Sequence, residues 1–149
     1  MAITTSMPTS FKKELFEARH NFLLSGGNTF KLALFSSSAT LGAATTAYPA
    51  ESPAYEPIDA NSPQGYPAGG LALTRIDPAN SGTSGICDFA DLVIPACTVT
   101  ARGCMIYNSS YSNAAVYIGN FGSDKTSTAG TFTVTMPTPA AGTAILELA

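Results

Sequence analysis

Any chemistry in this chain has to be built from a short supply of reactive side chains. His20 is the single histidine, and there is no tryptophan. His20 falls late in a stretch with helical spacing, near the negative end of such a helix, where an imidazolium is favoured. A serine or cysteine nucleophile paired with it would have to come from far along the chain, and no G-x-S-x-G elbow marks one. Asp88 and Asp91 could act as paired acids or offer oxygens to calcium. The calcium-loop pattern D-x-[DN]-x-[DN]-G is missing around them, so they read as turn caps or solvent-facing carboxylates. Cys87, Cys97 and Cys104 are odd in number and lack CxxC spacing. They read as reduced thiols that fill space as small hydrophobes, with a Cys97–Cys104 bridge across a hairpin left open. Gly26-Gly27 and Gly69-Gly70 match neither a phosphate loop nor a dinucleotide fingerprint and read as turn glycines. Arg102 stands inside an apolar strand, and Asp88 or Asp91 is its expected ion-pair partner. The reading is of a protein that is not an enzyme, with no catalytic, metal or cofactor residues assigned.

Composition points the same way. The 149 residues are 45% hydrophobic and only 11% charged, with 7 Lys and Arg against 10 Asp and Glu. A net charge of -3 argues against a protein that neutralises nucleic-acid phosphates. A chain of this length forms one domain and buries about 70% of its unfolded surface. No secretory signal opens the sequence, and no run of about 18 apolar residues crosses a membrane. The expectation is synthesis in a reducing cytoplasm, with neither nucleic acid nor membrane as partner. Without a secretory signal, the glycosylation sequon at Asn108-Ser109-Ser110 is idle.

The elements that would position these residues are mostly strands. Phe11, Leu15, Ala18 and Phe22 line one face of a helix expected over Ser10 to Leu24, capped by Thr9 or Ser10 and ended by Gly26-Gly27. From Thr29 onward the pattern is β. Strands are expected at Thr29–Ser36, Leu71–Ile76, Val99–Tyr107, Ala114–Phe121, Thr131–Met136 and Ala144–Leu148. Ile86–Phe89 and Leu92–Ile94 read as one bent strand, and Gly122 to Lys125 as a turn. About seven short strands separated by Gly, Pro, Ser and Asn predict an all-β antiparallel sandwich with one N-terminal helix. The expected division is an arm and helix over 1–28 and a sandwich over 29–149.

Residues 48–70 stand apart. Pro49, Pro53, Pro57, Pro63 and Pro67 alternate with Tyr48, Tyr55 and Tyr66, and proline holds the backbone extended. Two readings are open: an irregular surface loop, or an arm whose tyrosines dock on a neighbouring subunit. Tyr48, Tyr55 and Tyr66 are candidate interface residues on the second reading. Phe11, Leu15 and Phe22 are candidates on the helix, unless that face closes one end of the sandwich.

Several blocks carry a resemblance. They are Ser10-Phe11-Lys12-Lys13-Glu14-Leu15, His20-Asn21-Phe22, Thr29 to Leu34, Gly65 to Gly70, Thr100-Ala101-Arg102-Gly103, Ile106 to Ser109, Phe121 to Gly130, and Thr143 to Leu146. The chain resembles a family of small virion structural proteins of tailed bacteriophages. The proline run at 48–64 departs from the more strand-like segment expected there. The resemblance implies a virion protein made in the host bacterial cytoplasm and present in many copies. Its implied role is a capsid cement or decoration protein that binds the major capsid protein and copies of itself. A tail or head-to-tail connector protein and a receptor- or glycan-binding module are the alternatives. The start, Met1 to Thr9, is expected to be flexible and to tie neighbours together.

Overall fold

Two long antiparallel strands organise the molecule: β5 (Leu92–Asn108) and β6 (Ala114–Val134). The computed structural model describes residues 2–49, 55–62 and 64–149. The segments expected as separate strands join: Leu92–Ile94 runs on into Val99–Tyr107, and Ala114–Phe121 into Thr131–Val134. The breaks between them are absorbed as bulges, with register shifts on both sides of Cys97 and between Ala101 and Gly103. The expected turn at Gly122–Lys125 is one of these. Asn120 faces Gly103 and Lys125 faces Ala101, so β6 loops out extra residues there, with Gly122 at φ 80°. Ala96 and Ala129 adopt φ 51° and 47° where the two strands bend again. The bending brings the rings of Phe121 and Phe132 to 6.3 Å. A straight strand would hold them about 35 Å apart.

The fold is the expected all-β sandwich, with seven strands in two antiparallel sheets among the described residues. One sheet has the order β2-β1-β5-β6, with β1 at Phe30–Phe35 and β2 at Leu71–Ala72. β1 pairs with β5 from Phe30↔Asn108 to Phe35↔Gly103 and is buried except at Lys31. The other sheet has the order β3-β4-β7, with β3 at Arg75–Ser81, β4 at Ser84–Phe89 and β7 at Leu146–Leu148. Phe30, Leu32, Leu34, Phe89, Ile94, Ile106 and Val116 fill the main core. Gly70 is required where it stands: at φ 76° a Cβ would run into the Leu32 carbonyl of β1.

The helix is shorter than its periodicity. α1 spans Thr9–Phe16 and ends at Glu17, because Ala18 takes the left-handed conformation at φ 55°. The Arg75 guanidinium holds the following segment open by donating to the carbonyls of Leu23 (2.8 Å), Leu24 (3.0 Å) and Asn28. Those contacts and the Asp77 carboxylate on the Leu24 N–H, at 2.7 Å, outweigh the few helical hydrogen bonds given up. Neither Thr9 nor Ser10 caps α1. Pro8 is the cap residue, and the Ser10 hydroxyl is buried without a partner. The start of the chain is not free. Ile3 is buried, Ser6 exchanges two backbone hydrogen bonds with Ile118, and Asn120 donates to the Ile3 carbonyl at 2.7 Å. Met1 lies outside the described residues.

Arg102 pairs with neither expected acid. Its Nε donates to Asp124 Oδ1 at 2.7 Å, because the β6 bulge places Asp124 beside it. Asp91 instead accepts the Met136 N–H at 2.7 Å. Asp88 is not solvent-facing. It is buried on β4, where Oδ1 accepts the Phe89 N–H at 2.8 Å and Oδ2 has no partner. Cys97 and Cys104 are buried free thiols, and Cys87 is half-buried and free. Burial pushes the Cys104 thiol up to about 12.

Two outcomes follow from these polar groups. The exposed Arg102–Asp124 pair contributes under about 1 kcal/mol, so Arg102→Met should leave the urea midpoint nearly unchanged. Burial raises the carboxyl of Asp88 above its ordinary value. A carboxyl raised in the fold costs stability once ionised and costs nothing below its unfolded value. Asp88→Asn should therefore unfold at a higher temperature than the wild type at pH 7, and calorimetry should show the advantage gone by about pH 3.

Candidate functional site

The proline- and tyrosine-rich segment is built around two acids that its sequence did not single out. Glu56 is buried and accepts three hydrogen bonds: from Tyr48 Oη at 2.7 Å, from the Gly69 N–H at 2.8 Å, and from Tyr66 Oη. Tyr66 Oη also accepts the Leu34 N–H at 2.7 Å, which ties the segment to β1. Tyr107 of β5 donates to the Gly69 carbonyl at 2.6 Å, and its ring stacks on Tyr48 at 4.6 Å. Asp59 accepts the N–H groups of Tyr66 (2.6 Å), Asn61 (2.9 Å) and Thr98 (3.1 Å). A buried carboxylate is tolerated when its lone pairs are filled in this way. Burial raises the phenols of Tyr48 and Tyr66 and pushes Tyr107 up to about 12. The Asp59 carboxyl is held below its ordinary value, first by the Tyr66 N–H and then by that of Asn61.

The tyrosine candidates therefore face inward. Tyr66 is fully buried, while Tyr48 and Tyr55 are partly buried and pack on a second apolar cluster around Phe35, Met105 and Ile118. The arm reading fails for Tyr66 because Glu56 and Leu34 consume its hydroxyl inside its own chain. Pro53 and Pro63 lie outside the described residues. Phe11 and Phe22 are also interior, and Leu15 is partly buried. Phe22 leaves the helix but still reaches the core, stacking on Phe30 at 4.5 Å.

His20 belongs to this interior too. Its side chain is 0% exposed, with the rings of Phe11, Phe22, Phe30 and Tyr111 around it. Asn108 Oδ1 accepts the Ser110 N–H at 3.0 Å, which turns Nδ2 toward His20 Nδ1 at 3.0 Å. Nδ1 is thus an acceptor, and Nε2 donates to Glu14 Oε2 at 2.7 Å. Both nitrogens are engaged in joining α1 to the end of β5. Asn108, the sequon residue, is completely buried. Among the described residues, no group of three or more His, Cys, Asp or Glu side chains is placed to hold a metal, and no helix is long and apolar enough to cross a membrane.

An apolar groove of about 390 Å³ lies between α1 and the β3-β4-β7 sheet. Met7, Phe11 and Leu15 form one wall, and Ile86, Leu146 and Leu148 the other. Glu147 is the one ionised lining residue; the Ser84 hydroxyl and the Gly142 N–H hold its carboxyl below the ordinary value. Exposed Phe16, Leu23 and Leu24 belong to segments that border this groove. The candidates Phe11, Leu15 and Phe22 therefore line it as its floor and wall instead of projecting outward. The groove's other side, from β4 and β7, went unrecognised because those residues are over 60 positions away in sequence. No protein-family model, curated protein or solved structure matches the chain.

The clasp around Glu56 and Asp59 is testable. Tyr66→Phe strands the buried Leu34 N–H and should lower stability by about 1–3 kcal/mol in urea titration. Asp59, depressed in the fold, stabilises above its unfolded value near 3.9 and loses that contribution as pH falls through its folded value. Amide exchange at Tyr66 and Thr98 should accelerate below about pH 4, ahead of exchange in β1.

Proposed function

We propose that this protein is a structural component of a tailed-phage particle, a cement protein that binds the outside of the capsid shell and strengthens it. The observation that supports the reading is that one fold carries two surface regions of different chemistry. At one end is the apolar groove beside α1. Elsewhere the bent β5–β6 pair presents a polar, threonine-rich face in which exposed Thr100 and Thr126 join their hydroxyls at 2.9 Å. Arg102 and Asp124 neutralise each other on the same pair of strands. A protein that bridges subunits needs two such surfaces, and it stabilises the assembled state because it binds that state and not its separated parts. Many copies on a symmetric shell multiply weak contacts.

The family resemblance of the sequence blocks supports the same reading. So does the use of the interior ionisable groups: Glu56, Asp59 and His20 are engaged in internal hydrogen bonds that hold loops in place. Clamping the loop and the arm onto the body makes the contact surfaces stiff, which lowers the entropy lost on binding.

Particles assembled without this protein should form normally but release their genomes at a lower temperature or a milder osmotic shock. Adding the purified protein back should restore resistance. Particles that are equally resistant without it would overturn the cement role, and a loss of adsorption alone would favour a receptor-binding role.

A further inference from the structure

We infer that the groove between α1 and the β3-β4-β7 sheet receives α1 of a second copy of this chain, with Phe16 as the inserted side chain. The inference rests on the contact role proposed above and names one of its surfaces. Phe16 closes α1 and is 95% exposed, the most exposed large apolar side chain among the described residues. Leu15, beside it on the same helix, lines the groove with Phe11. An apolar knob and an apolar pocket thus lie next to each other on one short element.

That adjacency selects a closed arrangement. A two-fold axis that lays α1 of one copy across the groove of the other makes the same contact twice and leaves no free end. A knob and pocket on opposite sides of the body would instead propagate into filaments. Charge also fits. Lys12 precedes Phe16 by one helical turn on the same face and is exposed. The groove offers one carboxylate, Glu147, toward which a helix carrying Phe16 and Lys12 brings an ammonium. Leu148, 64% exposed at the groove mouth, extends the apolar contact to the rim.

Sedimentation equilibrium of the full chain between about 1 and 200 µM tests this, in the range where small symmetric interfaces associate. The wild type should show a reversible monomer–dimer equilibrium. Phe16→Ala should weaken it by about tenfold or more while leaving unchanged the thermal midpoint of the monomer, measured at concentrations too low for association, since Phe16 is 95% exposed in its own chain. Lys12→Glu should weaken it as well, and Lys12→Glu with Glu147→Lys should recover part of the loss. A wild type that stays monomeric at the highest concentration overturns the inference, as does a dimer indifferent to Phe16→Ala. A monomer that still strengthens particles would leave the cement role standing and remove only this surface. A dimer that leaves particle strength unchanged would do the reverse.

Discussion

The bend in the β5–β6 pair is the constraint on which the rest of the molecule depends. Seventeen residues of β5 and twenty-one of β6 are too long to lie flat over so small a core. Bulges at Ala96, Gly122 and Ala129 fold the pair over, so one hairpin covers the apolar centre from more than one direction. The bulges take residues out of the ladder, and the positive φ angles at two alanines carry a local cost. The return is burial of Ile94, Cys97, Val99, Ala101 and Phe132 on a continuous inner face. The same bulges interrupt the outer edge of β6, which limits strand-to-strand aggregation along it. With the hairpin committed in this way, the three-stranded sheet and α1 meet at one end, and the apolar groove is what their junction leaves open.

A second economy concerns charge. The chain has few ionised side chains, yet Glu56, Asp59 and Asp88 are buried. Two of the three are saturated with donors and act as clamps. Glu56 gathers a backbone amide and two phenols, and Asp59 gathers three amides. In each case one acid replaces a length of regular structure, since a segment rich in proline cannot make its own ladder. His20 plays the equivalent part between Glu14 and Asn108. Glu56, Asp59 and His20 each tie together segments that are distant in the fold or irregular in backbone. Asp88 differs: it is buried with fewer donors around it, and burial holds its carboxyl above the ordinary value.

The presence of strands and the polarity of their faces were legible in the chain because alternation depends on neighbours two residues apart. The alternation at Thr131–Val134, the apolar run at Phe30–Phe35 and the scarcity of histidine determined an all-β sandwich with little reactive equipment. Periodicity near the N-terminus placed Phe11 and Phe22 correctly in an apolar environment but not on one helix. Their burial is set by the core, whereas the helix end is set by Arg75, which lies over 50 residues away. Short strands were separable in the sequence by Gly, Pro and Ser, but whether such a break becomes a turn or a bulge depends on the partner strand opposite it.

The tertiary structure alone decided which way the tyrosines face, which acid Arg102 meets, and that β4 and β7 complete a groove begun by α1. Each of these is a contact between segments far apart along the chain. Local sequence states that a side chain is apolar, or that a hydroxyl needs a partner. It does not state which distant donor or surface will satisfy it, because that choice is made only when the whole chain closes and buried polar groups must find hydrogen bonds within reach.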